Sequence, residues 1–294
     1  MTLNRENGTF SGGSGANNLV RLDALGELSF EGVAIFPNGV VYYGDENRPS
    51  KGTVGGAYFK FVPATLRDAN AGPITSLDQS PLTAGTVSGL RLGKRSDNTD
   101  YGQGIQTGLG TWIETASSNL RAEAASLSLT GYYRPEDIAI DEQALLAGNV
   151  RICGNNTGNE EDGRSWGDTI CITDGTVADA GNNTGTPEGK YFQPGAPERQ
   201  MVDNIAYQPG RGDWLLHEDA DVSFSGKNDD LWDCLPDGAD EDLLSDGCIR
   251  IATLNDSPAE WTGGVFDANG THFYVSVQHN VTGYGVLLDI TGWK

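Results

Sequence analysis

"EGVAIFPNGVVYYGDE", Glu31 to Glu46, has an acid at its mouth, a short apolar strand, a turn carrying Gly39, a second apolar and aromatic strand, and two closing acids. The tight Gly-containing turn between apolar runs is the signal of an antiparallel hairpin, with glycine supplying the positive φ. The pattern returns in "DNIAYQPGRGDWLLHED" from Asp203 and in "TGGVFDANGTHFYVSVQH" from Thr262. A fourth version opens at "RPEDIAID" from Arg134, its partner strand "GNVRICGNN" following an insertion around Glu142 to Leu146. Successive starts lie on the order of 60 residues apart, and the first gap is long enough to hold a further unit.

Such units, with intervening strands in "GAYFKFVPA", "DTICITDG", "GCIRIATLN" and "YGVLLDITGW", predict an all-β fold. A β-propeller, six-bladed or an incomplete version of one, fits the long repeat. A β-sandwich is the alternative, but its turn signals come every 8 to 12 residues or so without a longer period. Residues 1–18, rich in Gly and Asn, read as an extended lead-in, and residues 19–294 as a single propeller domain. Residues 64–110 read as loop plus a weakly marked blade, with strand character around Val87 to Leu92.

Composition agrees. The chain has 294 residues, 41 glycines and a formal charge of −22, a turn-rich acidic protein rather than a helical bundle. That charge repels nucleic acid and anionic lipid, so divalent cations are the natural partners. No stretch has the length of a membrane span, and the first residues have no apolar signal core. Cys153 and Cys171 flank one polar loop and Cys234 and Cys248 another, without metal-type CxxC spacing; two local disulfides and an extracellular or periplasmic compartment follow. Sequons at Asn7, Asn155, Asn182, Asn255, Asn269 and Asn280 point mainly to surface loops.

In a propeller the innermost strands of all blades line one channel, so residues opening them converge. Glu31, Glu136 and Asn204 are taken as equivalent openers, while Asp45 and Glu46, and His217, Glu218 and Asp219, close the next strands. Clustered carboxylates need a cation, and oxygen donors suit Ca²⁺. Arg134 beside them is either a carboxylate partner or a bidentate clamp for an oxyanion such as phosphate. The loop "KNDDLWDCLPDGADEDLLSDGC" lacks the EF-hand order and reads as an irregular Ca²⁺ loop or plain solvation. No nucleophile elbow, phosphate-binding Gly loop or H-E-x-x-H motif is present.

"RPEDIAID", "DNIAYQPGRGDWLLHED", "NDDLWDCLPDGADEDLLSDGCIRIATL" and "EWTGGVFDANGTHFYVSVQHN", in that order, resemble the PhoX-type alkaline phosphatase family. "LSFEGVAIFPNGVVYYGDE" resembles its earlier blade, so the likeness runs from about Glu27 to the C-terminus. The resemblance implies a six-bladed propeller with Ca²⁺ and Fe³⁺ at its axis, exported and hydrolysing phosphate monoesters. It implies Glu31 and Glu136 as metal ligands, and Arg134 as the residue that holds substrate phosphate. Together with the strand-closing acids read from the repeat, the expected metal set is Glu31, Asp45, Glu46, Glu136, Glu218 and Asp219; the expected catalytic pair is Arg134 and Glu136, and Asn204, an equivalent strand opener, is expected to join Arg134 on the substrate. The family's Thr-Pro-Trp-Gly segment has no counterpart, and Phe30 stands where many relatives carry histidine. A non-catalytic, calcium-stabilised extracellular propeller, binding or self-assembling through exposed blade edges, is therefore the expectation from a second class.

Overall fold

The computed structural model describes residues 22–48, 55–68, 70–72, 74, 79–99, 106–158, 166–220, 222–238, 240, 242 and 244–293, with the backbone of 2–3 and 10–11. Most of the expected lead-in, Asn7 included, lies outside the described residues. Thr2–Leu3 (β1) and Phe10–Ser11 (β2) pair antiparallel as a two-stranded sheet.

The remaining strands form meanders that repeat the hairpin pattern. The first blade is Val33–Ile35 (β3), Val41–Gly44 (β4), Tyr58–Pro63 (β5) and Gly85–Leu92 (β6), with Gly108–Thr115 (β7) added outside. The second is Pro135–Ile140 (β8), Asn149–Asn156 (β9), Asp168–Thr176 (β10) and Glu188–Gln193 (β11). The third is Val202–Tyr207 (β12), Trp214–Glu218 (β13), Asp230–Cys234 (β14) and Cys248–Thr253 (β15). Glu260–Phe266 (β16), His272–Gln278 (β17) and Val286–Thr291 (β18) make the last. All pairings are antiparallel, and β7 also pairs with β11, which joins the first two blades into one nine-stranded sheet. The end strands of that sheet, β3 and β8, lie side by side, the Gly32 amide donating to the Glu136 carbonyl at 3.0 Å, so the sheet nearly closes on itself.

The chain is thus all-β and propeller-like, in an incomplete version: four blades among the described residues. Among the described residues, the further unit expected between residues 64 and 110 does not form. Val87 to Leu92 and its neighbours become the outer strands β6 and β7 of the first blade, because β5 offers an open edge immediately beside them. The insertion at Glu142–Leu146 is a one-turn helix capped by the Asp141 side chain, which accepts from the Ala144 amide.

Cores lie between blades. Ala34, Tyr42, Tyr58 and Leu90 meet Ile138, Ile152, Ile170 and Ile172 between the first and second. Phe192 meets Val202, Trp214 and Leu216 between the second and third. Ala206, Leu215 and Leu231 meet Trp261, Phe273 and Val275 between the third and last. Each such Val, Leu, Ile or Phe side chain contributes about 1.5–3 kcal/mol on burial. The outward face of the first blade is covered instead by Leu25, Leu120 and Ala124 from helical turns and by Leu28 and Leu129 from the segments beside them.

The first strands of the blades stand in sequence around one axis. Gly32 permits that approach: a Cβ there would lie 2.1 Å from the Ile138 nitrogen. Asp137 Oδ2 accepts from the Ile205 amide at 3.3 Å, and the Gly263 amide donates to Asn204 Oδ1 at 2.8 Å, which carries the series β3, β8, β12, β16 onward. Both expected disulfides form, Cys153 to Cys171 across β9 and β10 and Cys234 to Cys248 across β14 and β15. One sequon departs from expectation. Asn155 is buried in β9, donating to the Asn204 carbonyl and accepting from Thr169.

Candidate functional site: carboxylates at the propeller axis

Arg134 enters β8 in the left-handed region, at φ 56°, a conformation that costs a non-glycine residue on the order of 1–2 kcal/mol. It is held there because its carbonyl accepts from the Thr157 amide at 3.1 Å and the Tyr133 carbonyl accepts from Gly158 at 3.1 Å. The consequence is that the guanidinium turns inward. Its Nε donates to Glu46 Oε1 at 2.7 Å and its Nη2 to Glu136 Oε1 at 2.9 Å.

Glu136 is 2% exposed and also accepts from Thr157 Oγ1 at 3.1 Å. Burial pushes its carboxyl up to about 7; Arg134 opposes this, while Glu46 and Glu31 add to it. Burial raises Glu31 as well, with Glu46 and Asp137 adding and Arg134 opposing. Asp203, at the mouth of β12, is pushed up to about 9 by burial, then by Glu136 and Asp219, against Arg134. The acids opening three successive inner strands therefore feel one another across the axis.

The cluster continues toward the last blade. A cleft of about 720 Å³ is lined by Asp219, Asp229, Glu260, His279 and Ser223 among others. Glu260 is pushed up to about 9 by burial and by its hydrogen bond with Asp219, and His279 Nε2 lies 3.2 Å from Glu260 Oε1. Burial takes Asp229 to about 7, with the Ala220 amide opposing and Glu218 and Asp219 adding. Carboxyls that hold protons this far above their usual range are poised to exchange them for a cation. The donors are oxygens. All four cysteines are disulfide-bonded, so the site offers no thiolate, and the set fits a hard ion such as calcium.

Of the residues expected from sequence, Glu31, Glu46, Glu136, Asp219 and Arg134 come together here. Three expected contributors are engaged elsewhere. Asp45 accepts two hydrogen bonds from Arg121, at 2.8 and 2.5 Å, and one from the Ser29 amide. Glu218 accepts from the Gln200 and Asp230 amides at 2.9 Å each, from Trp232 Nε1 at 3.1 Å, and from Lys227. Asn204 ties blades together through Asp137 and Gly263. The reason in the first two cases is alternation: adjacent residues on extended backbone point to opposite faces, so of Asp45–Glu46 and of Glu218–Asp219 only one reaches the axis.

Asp203, Asp229 and Glu260 were missed. For Asp203 a signal existed, since superposing "DNIAY" on "EDIAI" and "EGVAI" places Asp203, not Asn204, with Glu136 and Glu31. Asp229 and Glu260 have no repeat partner and needed the fold. The acidic loop does bring Asp237, Asp240 and Asp246 within 4.8 Å of one another, and the Gly238 amide donates to Asp246. Those acids are largely solvent-facing.

Fold and site together define a propeller-like β protein with an axial carboxylate cluster around one arginine. No family model and no curated protein matches the chain. Among solved structures it is similar to a glucose dehydrogenase at 13% identity, covering 91% of this chain and 83% of that one with a TM-score of 0.36. A second glucose dehydrogenase structure matches at 13% identity over 91% and 84%, with a TM-score of 0.35. Likeness at that level carries no argument about function.

Proposed function

We propose that the chain is a secreted, calcium-dependent phosphomonoesterase of the PhoX type, with Arg134 as its phosphate clamp. The observation that supports this most is the convergence of Glu31, Glu46, Glu136 and Asp203 on one inward-turned arginine. Glu31, Glu46, Glu136, Asp203 and Asp219 would hold calcium, which when bound polarises phosphoryl oxygens and offsets developing charge. Loading the carboxylates would relieve Arg134 of its pairing with Glu46 and Glu136. Its planar guanidinium would then take two phosphate oxygens at once and fix the orientation of the ester. The buried walls of the axis would exclude water from those contacts and strengthen them. The two disulfides, together with the absence among the described residues of any helix long and apolar enough to cross a membrane, support an extracellular or periplasmic setting.

A second reading, a calcium-stabilised scaffold without turnover, is favoured by one observation: Nε and Nη2 of Arg134, the two donors of one edge of its fork, are already engaged by carboxylates. Calorimetry with phosphate and hydrolysis of a chromogenic monoester, each with and without calcium, separate the two. The enzyme binds phosphate only when calcium is present and turns the ester over. A protein that gains stability from calcium yet ignores phosphate and ester is the scaffold.

A further inference from the structure

The seam between the third and last blades has a second polar end, away from the axial carboxylates. Ala206, Leu215 and Leu231 carry the third blade's apolar face against the last blade. On extended backbone, residues two apart share a face, so Gln208, Asp213 and Asp233 stand on that same face, beyond the apolar patch. They lie at the opposite end of β12 and β13 from Asp203 and Asp219.

All three are buried, at 2%, 1% and 5% exposure. The Gln208 amide donates to the Asp213 carbonyl at 2.8 Å, and Gln208 Nε2 crosses the seam to the Gly270 carbonyl at 2.8 Å. Arg211, in the connecting turn, pairs with Asp213. Two acceptors are left over. Gln208 Oε1 and Asp233 Oδ1 are buried with no hydrogen-bond partner. Burial, with the charge of Asp213 adding and Arg211 opposing, pushes the Asp233 carboxyl up to about 6. Buried acceptors without a donor are rare in folded proteins and mark an ion, a water or strain.

We propose that this end of the seam binds a structural calcium ion through Gln208 Oε1, Asp233 Oδ1 and the Asp213 carboxylate. The chemistry favours a cation over a further hydrogen bond. The donors mix carboxylate and amide oxygens, the hard set that calcium takes. Two carboxylates against one arginine leave a net negative charge that a buried site cannot hold uncompensated. The ion would tie β12, β13 and β14 together where Gln208 meets the turn of the last blade, and it is independent of the axial cluster.

Calcium bound per chain, measured by elemental analysis after dialysis against a fixed free concentration, tests this in wild type, Asp233→Asn, Gln208→Leu and Glu136→Gln. Asp233→Asn and Gln208→Leu should each bind one ion fewer than wild type and show a smaller calcium-induced rise in melting temperature. Glu136→Gln should lose axial calcium and keep the seam ion. Gln208→Leu removes no charge, and it carries the test should Asp233→Asn fail to fold. The proposal is overturned if both seam variants keep the wild-type count, or if every wild-type ion is lost in Glu136→Gln. In either case buried water serves these acceptors, and the axial site stands or falls on its own.

Discussion

At the scale of single residues, Arg134 concentrates the chemistry. Its left-handed backbone and two carboxylate partners place five N–H donors at the meeting point of the inner strands. Arg134→Ala should weaken phosphate binding in calcium by about a hundredfold or more, since two charge-assisted hydrogen bonds are each worth about 1.5–3 kcal/mol. Arg134→Lys should recover little of it, because an ammonium cannot reproduce the fork. Both are read by calorimetry, and a wild-type affinity in Arg134→Ala would make this arginine a carboxylate partner only. Without calcium, Arg134→Ala should also lower the melting temperature, as it strips buried Glu136 of its cation.

At the scale of strands, alternation sorts the adjacent acids, and the sorting can be tested pair by pair. Glu46→Gln and Asp219→Asn should reduce the calcium response with modest effect on intrinsic stability. Asp45→Asn and Glu218→Gln should do the reverse. For Glu218 the loss should reach about 3–5 kcal/mol, the scale for breaking a buried, fully hydrogen-bonded ion pair. Calcium titrations followed by thermal melts on the four variants decide it; a calcium response abolished by Glu218→Gln would overturn the sorting. The disulfides belong to this scale too. Each staples a cross-strand pair, closing 18 and 14 residues of chain. Replacing either pair by alanines should cost about 3 kcal/mol, a fall of roughly 5–10 °C in melting temperature. Non-reducing peptide maps should recover Cys153 with Cys171 and Cys234 with Cys248, and no crossed product.

At the scale of the whole molecule, the raised carboxyls make stability depend on pH and calcium together. Glu136, Asp203, Asp229 and Glu260 hold protons in the folded state up to about 7, 9, 7 and 9, against ordinary values of 4.5, 3.8, 3.8 and 4.5. Because the folded state binds more protons than the unfolded one across that interval, the stabilising contribution is complete below about pH 4 and is lost as pH rises through 7 to 9. The calcium-free protein should therefore melt at progressively lower temperature from pH 5 to pH 9. Calcium replaces those protons, so its stabilisation should grow with pH. Melting curves in chelator and in millimolar calcium at pH 5, 7 and 9 check both trends. A chelated protein whose melting temperature rises over this range would show that the carboxylates are solvated rather than clustered.

The hairpins, their antiparallel sense, the repeat and both disulfides were legible in the sequence, because each depends on local order: alternating apolar residues, a glycine in the turn, cysteines brought opposite by one strand pairing. Glu31, Glu136 and Arg134 were legible for the same reason, standing at the mouths of recognisable strands. What the sequence could not decide is which of two neighbouring acids faces the axis, since one residue of register turns every side chain to the other face. Thus Glu46 and Asp219 reach the cluster while Asp45 and Glu218 are absorbed by Arg121 and Lys227. Nor could it place residues 64–110, where weak strand signals complete the first blade rather than build another, because an open strand edge must be paired or covered. Asp229, Glu260 and the oxygens of Gln208 and Asp233 gain their meaning only when distant blades pack against one another. Burial and mutual repulsion are properties of that packing, and no local pattern in the chain encodes them.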